Sequence, residues 1–432
     1  MQLSTPVSNK LLAAIALPPV AILWLLFTIL LLRSFSSLPE TSAERREVAT
    51  SHILGLRNAL REEDAISKMQ YIFPEGGCFV LTLYSLSWAN LLLHHNPSEE
   101  VVELGLKELS WAIAQYEHED VISPFSNTQV YRGVFWLGQR NLVLGNYLKV
   151  LPQSEWPDSL VEEFHQNSES LHSEFLKSPT SHLDAYPRLC WPADNITALV
   201  SLHVHDQLFE TDYKSSFEEW KKWTLGNLDE QTQLPAGHLN SVTGNLLQSS
   251  RGCGNSWILG LLPSIDPELS AVWYKRYIEH HMISRLGFWM FREYPEGVTR
   301  HADVDSGPII WGAGVTATGV GLAASLANSD FRTAQDIHGL ATAIGCKRTF
   351  RSDKGLGTQY LFGELPVGDA FLTWAYTLPS SPTPFLKPAS FGKLLWQRKL
   401  AILIFLFLTY GLYLNGRAVF SRKAKFNQAS ES

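Results

Sequence analysis

Thr128–Leu148 reads TQVYRGVFWLGQRNLVLGNYL, a short polar loop with one arginine running into a stretch that is apolar on nearly every side. A surface helix shows a single apolar stripe, whereas one apolar all round is buried all round. Gly307–Ser325, GPIIWGAGVTATGVGLAAS, repeats the pattern with small residues that let neighbours approach closely. Helices buried on all sides need a second layer of helices outside them. The stretches between supply it, being amphipathic: Glu99–Tyr116, Pro157–Lys177, Asp212–Leu228, Pro267–Ile283 and Phe331–Cys346, with Val48–Met69 in front.

The loop-then-helix unit recurs through the middle of the chain. Its loops include YPRLCWPADN at Tyr186–Asn195, SSRGCGNSW at Ser249–Trp257, MFREYPEG at Met290–Gly297 and TRHADVDSGP at Thr299–Pro308. Apolar helices are expected to begin near Cys78, Thr128, Pro192, Cys253, Ser306 and Val367, about 50 to 64 residues apart by subtraction. Six outer and six inner helices in alternation describe an all-α, (α/α)6 toroid of six helical hairpins with its loops gathered at one mouth. An unclosed helical bundle is the alternative; an alternating β/α fold finds no support. Phe288–Tyr294 and Gln359–Phe362 read as extended pieces decorating the mouth.

The two ends differ from the middle. Leu11–Leu32 is an uncharged apolar run between Lys10 and Arg33, long enough at about 1.5 Å per residue to cross a ~30 Å hydrocarbon core. A second run, Leu400–Leu414, is at the short end for a span. Arg417, Arg422, Lys423 and Lys425 behind it favour a cytoplasmic tail. The expected organisation is an anchor over 1–33, a toroid over 34–378 and a Pro/Ser-rich linker over 379–395. A transmembrane helix over 396–420 and a basic tail over 421–432 complete it. Two spans place both termini on one side and the domain on the other, read here as extracytoplasmic.

A net charge of -7 argues against nucleic acid as a partner. Cys78, Cys190, Cys253 and Cys346 show no CxxC spacing, so neither a zinc ribbon nor a redox motif is expected. Cys190 and Cys253 either pair as a disulfide or stay buried thiols. His203/His205 and His280/His281 lack the i,i+4 spacing of a metal pair. No metal or cofactor is expected. Asn195-Ile196-Thr197 matches the glycosylation pattern but falls at a helix start.

In a toroid the inner helices run parallel, so their N-termini and partial positive charges converge on the mouth. With Arg132, Arg188, Arg251, Arg292 and Arg300 in the same loops, an anionic ligand is the natural expectation. Arg188, Arg251 and Arg292 are the candidates to hold it; bridging between loops is the alternative. Tyr186, Trp191 and Trp289 are candidate stacking platforms, since flat rings beside hydrogen-bonding groups suit sugars.

Carboxylates decide whether the chain is an enzyme. Ser306-Gly307-Pro308 looks like a helix start, so Asp305 is expected to serve the helix end and Asp303 or His301 to face the cavity. Asp194 and Asp369 stand in expected first turns, where capping competes with catalysis. Glu75, Glu293 and Glu364 also lie in mouth loops. Work across a glycosidic bond needs two carboxyls roughly 5–9.5 Å apart, and spacing alone does not choose the pair.

The repeat, together with CWPADN, RGCGNSW and DVDSGP opening inner helices, resembles the six-hairpin glycosidase superfamily. That resemblance covers roughly residues 48–378 and implies a polysaccharide-processing hydrolase, lyase or epimerase. It implies acid and base at Asp194, Asp303 and Glu293. A second resemblance is to the linalool dehydratase/isomerase family, through Cys190, Pro192 and Asn195 in CWPADN. It implies a hydro-lyase with Cys190, and Cys253 as a second thiol; the many arginines depart from what a terpene alcohol would need. The expectation is a membrane-anchored enzyme acting on an anionic glycan. Its partners would be a carbohydrate and the lipid bilayer, within an oligomer or envelope complex. A non-catalytic glycan-binding or scaffold protein is the remaining alternative.

Overall fold

The computed structural model describes residues 9–285, 287–379, 400, 402–414 and 416. Its helices are α1 (Asn9–Arg33), α2 (Ser42–Glu62), α3 (Ala65–Ile72), α4 (Gly76–His94), α5 (Glu99–Gln115), α6 (Glu119–Ile122), α7 (Gly133–Val150) and α8 (Asp158–Lys177). They continue with α9 (Pro192–Phe209), α10 (Lys214–Gly226), α11 (Gly252–Leu261), α12 (Pro267–His281), α13 (Val315–Ala327), α14 (Phe331–Ile344), α15 (Pro366–Thr377) and α16 (Ile402–Leu414). The chain is predominantly helical.

The inner helices α4, α7, α9, α11, α13 and α15 are buried along most of their surface. Helices α5, α8, α10 and α12 lie outside them and bury one face, whereas α2 and α14, also outside, are covered on a second side by other segments. Each inner helix packs on the next, and α15 returns to α4. The ring is closed, which removes the open bundle. Small residues set its tightness. A Cβ on Gly138 of α7 would stand 2.9 Å from the Ala198 Cβ of α9. One on Gly260 of α11 would stand 2.5 Å from the Trp374 ring of α15. Trp374 itself is 1% exposed, and burying such a side chain contributes roughly 1.5–3 kcal/mol.

Four two-stranded antiparallel hairpins decorate the ring. They are β1 (His238–Leu239) with β2 (Leu246–Gln248), β3 (Met282–Arg285) with β4 (Phe288–Phe291), β5 (Ile309–Ile310) with β6 (Ala313–Gly314), and β7 (Arg348–Ser352) with β8 (Gly355–Gln359). Strand β8 lies so close on α2 that a Cβ at Gly55 would meet the Thr358 carbonyl at 1.9 Å. The hairpin thereby fills the outer layer between α14 and α2.

Three boundaries differ from expectation. The inner helix expected near Thr128 starts at Gly133, after Arg132 in the left-handed region at φ 57. The inner helix expected near Ser306 starts at Val315, because Ile309–Gly314 turns back on itself as β5 and β6. The outer helix expected over Val48–Met69 is split, with Asp64 at φ 53 separating α2 from α3.

Among the described residues only α4 is both long and apolar enough to cross a membrane, and it is a core helix, 78% buried. The described apolar parts of the flanking helices, Ala21–Arg33 and Ile402–Leu414, are shorter. These two helices meet: the Trp24 Nε1–H donates to Thr409 Oγ1 at 3.0 Å, and Trp24 stacks on Phe405 at 5.8 Å. The C-terminal end of α1 docks on α14, where the Ser34 carbonyl lies over Gly339 and the Leu38 amide donates to Gln335 Oε1 at 2.8 Å. Residues 1–8 of the expected anchor, nearly all of the linker (380–395) and the basic tail (421–432) lie outside the described residues, as do parts of the expected second span.

Candidate functional site

A cavity of about 160 Å³ opens where the N-terminal turns of the inner helices converge. All six contribute: Glu75 and Phe79 at the start of α4, Phe135 of α7, Asp194 of α9, Cys253 and Trp257 of α11, Thr316 of α13, and Phe371 of α15. Its floor is an aromatic cluster on the ring axis. Phe79 meets Phe135 at 5.1 Å, and Trp257 and Phe371 at 5.8 Å each. The first turns above carry the polar groups, so an apolar floor faces a collar of carboxyls.

Three carboxyls line the cavity: Glu75, Asp194 and Asp305. Asp194 stands in the first turn of α9, where a capping role competes with catalysis, but its carboxyl caps nothing and accepts no hydrogen bond among the described residues. Burial drives its pKa well above the usual carboxyl range, and the neighbouring charges of Asp305 and Glu75 push in the same direction. Both effects favour the protonated form of Asp194. The Tyr186 hydroxyl donates a short hydrogen bond to Glu75 Oε1. Tyr186 is held in place by stacking on Phe125 at 5.8 Å and by an edge contact with Trp191 at 6.4 Å. Trp191 is in turn stacked on His238 at 5.0 Å.

Asp305 sits at the rim with its side chain 53% exposed. Partial burial pushes its carboxyl up to about 6; Arg251 opposes this, 3.8 Å away, and the charges of Asp303, Glu75 and Glu293 add to it. Asp305 thus changes charge just below neutrality.

The expected catalytic residues Asp303 and Glu293 lie beside the cavity without lining it. Arg251 binds both: Nε donates to Glu293 Oε1 at 2.7 Å and Nη2 to Asp303 Oδ1 at 2.7 Å. Glu293 is fully buried and also accepts the Cys253 amide at 3.2 Å and its thiol at 3.0 Å, closing the first turn of α11. Asp303 accepts the Ser306 amide at 2.9 Å in a tight turn, and with Arg251 this holds its pKa below the usual value despite partial burial. The expectation that Asp305 serves a helix end while Asp303 faces the cavity is reversed. No helix begins at Ser306, so the turn there is stabilised by the Asp303 side chain and Asp305 is left at the rim.

Of the five loop arginines only Arg251 reaches the cavity, already matched by carboxylates. Arg132 donates to the Phe125 carbonyl at 2.7 Å. Arg188 is exposed on the hairpin bend that pairs Tyr186 with Leu189. Arg292 reaches Glu296 at 4.0 Å, and Arg300 and His301 are exposed. Tyr186 and Trp191 line the cavity. Trp289 lies on β4, away from it.

All four cysteines are free thiols, so Cys190 and Cys253 form no disulfide. Cys190 is fully buried, donates to the Leu183 carbonyl at 3.2 Å and does not line the cavity. Burial drives both the Cys190 and Cys253 thiols well above their usual pKa, the opposite of what a nucleophilic thiolate needs. Asn195 is fully buried, with its amide given to the Leu183 and Trp191 carbonyls, so it cannot carry a glycan. Among the described residues no group of three or more His, Cys, Asp or Glu could hold a metal ion.

From sequence Glu75 is only one of several mouth-loop carboxylates and Asp305 serves a helix end, so neither stands among the expected acid and base. The available signal for Glu75 was its place in FPEGG, directly before a fully apolar helix.

No family model matches the sequence, and no curated protein matches it. Among solved structures the chain is similar to the crystal structure of an unsaturated glucuronyl hydrolase specific for heparin. The match has 11% identity and a TM-score of 0.48, covering 77% of this chain and 95% of that one. A likeness at that level says nothing about the chemistry in the cavity.

Proposed function

We propose that this chain is a glycan-active enzyme working by acid–base catalysis, with Asp194 as the general acid. The observation that carries this reading is a half-buried carboxyl that accepts no hydrogen bond among the described residues, standing over an aromatic floor beside two further carboxyls. A buried acid left without partners costs stability, and such groups concentrate where proton transfer is needed. One sugar ring laid on Phe79 and Trp257 would bring its bridging oxygen to Asp194. Asp194 would protonate that oxygen as the bond to carbon breaks. Asp305 or Glu75 would accept the proton of the attacking water, or of the sugar carbon in an elimination. Tyr186 fixes the orientation of Glu75.

The substrate unit in the cavity is read as uncharged. Three carboxyls and one arginine already paired with two others leave no free cation for a uronate, so an anionic group would have to lie outside, toward exposed Arg188. The paired flanking helices α1 and α16 are read as a membrane tether. Leu23, Leu25, Leu26, Leu403, Leu406 and Phe407 are all exposed on them, an apolar surface that lipid would cover.

The test incubates the full chain and its Asp194→Asn form with neutral and uronate-containing oligosaccharides, reading products by mass spectrometry. Expected is a product from the unmutated chain alone: gain of water for hydrolysis, an unsaturated fragment for elimination. Equal turnover by both forms would overturn the role of Asp194. Binding without turnover by either would favour a non-catalytic glycan-binding protein.

A further inference from the structure

Each of the six segments leading into an inner helix leaves a large apolar side chain exposed. They are Ile72 before α4, Tyr131 before α7, Leu189 before α9, Val242 before α11, Trp311 before α13 and Phe362 before α15. All six stand within five residues of one that lines the catalytic cavity, from Ile72 beside Phe73 to Phe362 before Val367. The loops therefore ring the mouth with apolar groups. The opposite end of the toroid differs. Among the described residues, the C-termini of the inner helices and the connections after them expose only Leu93 and Phe331, at 37% and 41%. At the mouth Val242 is 70% exposed, Trp311 65% and Phe362 63%.

Two of the mouth side chains are presented on strained backbone. Trp311 and Gly312 form the tip of β5–β6 with φ 51 and 86, and Phe362 has φ 60. Bulky residues rarely use the left-handed region, and such strain clusters at functional sites. The Arg285 Nε–H donates to the Trp311 carbonyl at 3.1 Å, which fixes the turn while the Trp311 ring stays exposed.

Helix α1 arrives from the same end. Ser34, Ser36 and Leu38 meet Gly339, His338 and Gln335 in that order, the Ser36 hydroxyl lying 3.1 Å from His338 Nε2. The chain thus runs toward the start of α14, which follows α13 at the end away from the mouth. The helix before Ser34 accordingly comes in from the mouth side, and α16 is paired with it.

We propose that the mouth of the toroid is seated on the bilayer that α1 and α16 enter, and that its substrate is a glycan carried as a lipid headgroup. Apolar groups ringing one end fit the interfacial zone of a membrane, where aliphatic and aromatic side chains leave water together. Platforms for a free sugar chain would be aromatic, and Ile72, Leu189 and Val242 are not. A cavity pressed to a bilayer is reached along its surface, so a glycan anchored there is concentrated at the mouth and one free in water is not. The seating rests on the tether reading of α1 and α16; the substrate class rests also on the glycan-active reading, and the two are tested separately.

The experiment reconstitutes the full chain in phosphatidylcholine vesicles with a nitroxide label at Val242→Cys, Phe362→Cys or, as the reference for the far end, Gln153→Cys, which is exposed after α7. Signal from the native thiols is measured on the unmutated chain and subtracted. Expected is that oxygen, which dissolves in lipid, relaxes the two mouth labels, and that a water-soluble nickel complex relaxes the label at Gln153→Cys. Mouth labels as open to nickel as the far-end label would overturn the seating. Mouth labels shielded from both relaxants, the result of a second copy packed mouth to mouth, would overturn it as well. The unmutated chain in the same vesicles is then given neutral oligosaccharides, free in water and as headgroups of diacylglycerol. Expected is turnover of the headgroup form at least about tenfold above the free form, from its effective concentration at the surface. Equal turnover overturns the lipid-linked substrate. Turnover of neither, with the mouth labels in the bilayer, rejects the glycan-active reading and the substrate class with it, while the seating stands.

Discussion

The Arg251 cluster and the cavity beside it are built from the same kinds of group and treat them in opposite ways. In the cluster every carboxylate is answered: Glu293 takes Arg251 and the Cys253 amide, and Asp303 takes Arg251 and the Ser306 amide. In the cavity Asp194 takes nothing. Asp305, two residues from Asp303, stands between the extremes with Arg251 at 3.8 Å. Donors hold the Asp303 pKa down, and their absence with burial drives that of Asp194 up. Matched carboxylates build a structure; an unmatched one keeps a proton that can be given away.

Substitutions can break or sharpen this contrast. The largest effect is expected from Asp194→Asn, with turnover falling roughly 10²–10⁴-fold. The same change should stabilise the fold near neutral pH. Because the folded pKa of Asp194 is raised, its contribution is most favourable below the unfolded carboxyl pKa of about 3.9. It is lost as pH rises from there through the folded value. Melting temperatures across pH should therefore fall less steeply in the variant, and an unchanged slope would break the contrast.

Arg251→Met is expected to cost about 3–5 kcal/mol, since it leaves Glu293 buried without its counter-charge. Urea unfolding measures this, and a loss below about 1 kcal/mol would mean that the cluster is not held by charge.

Asp305→Asn should change the pH profile more than the fold. A base with its pKa near 6 loses activity as pH falls through 6, so the acid limb of the unmutated chain should lie there and shift in the variant. Smallest is Arg188→Ala, expected to leave turnover of neutral sugars within about twofold and stability little changed, as for other exposed sites.

Much of the toroid was legible because burial writes itself into composition. The starts of α4, α9, α11 and α15 fall within two residues of the expected positions, since Pro192, Pro366 and paired glycines mark first turns. The site was less legible. Asp303 and Asp305 are the same residue type two apart in one polar loop, and what separates them is a turn closed by Ser306 and the β5–β6 hairpin after it. Glu293 looked available in its loop, but its partner Arg251 is 42 residues away in sequence, and no local pattern announces that pairing. The arginines misled for a related reason. The loops of Arg132 and Arg188 do enter inner helices, yet Arg132 and Arg292 are used within the loops and Arg188 and Arg300 point to solvent.

The protonation of Asp194 tests the account most directly. Infrared difference spectra of the unmutated chain and Asp194→Asn, recorded at about pH 7, would report the carboxyl itself. The expected result is a protonated-carboxyl C=O band in the unmutated chain that the variant lacks. A carboxylate band at that pH would contradict the account, because an ionised Asp194 could not serve as the acid.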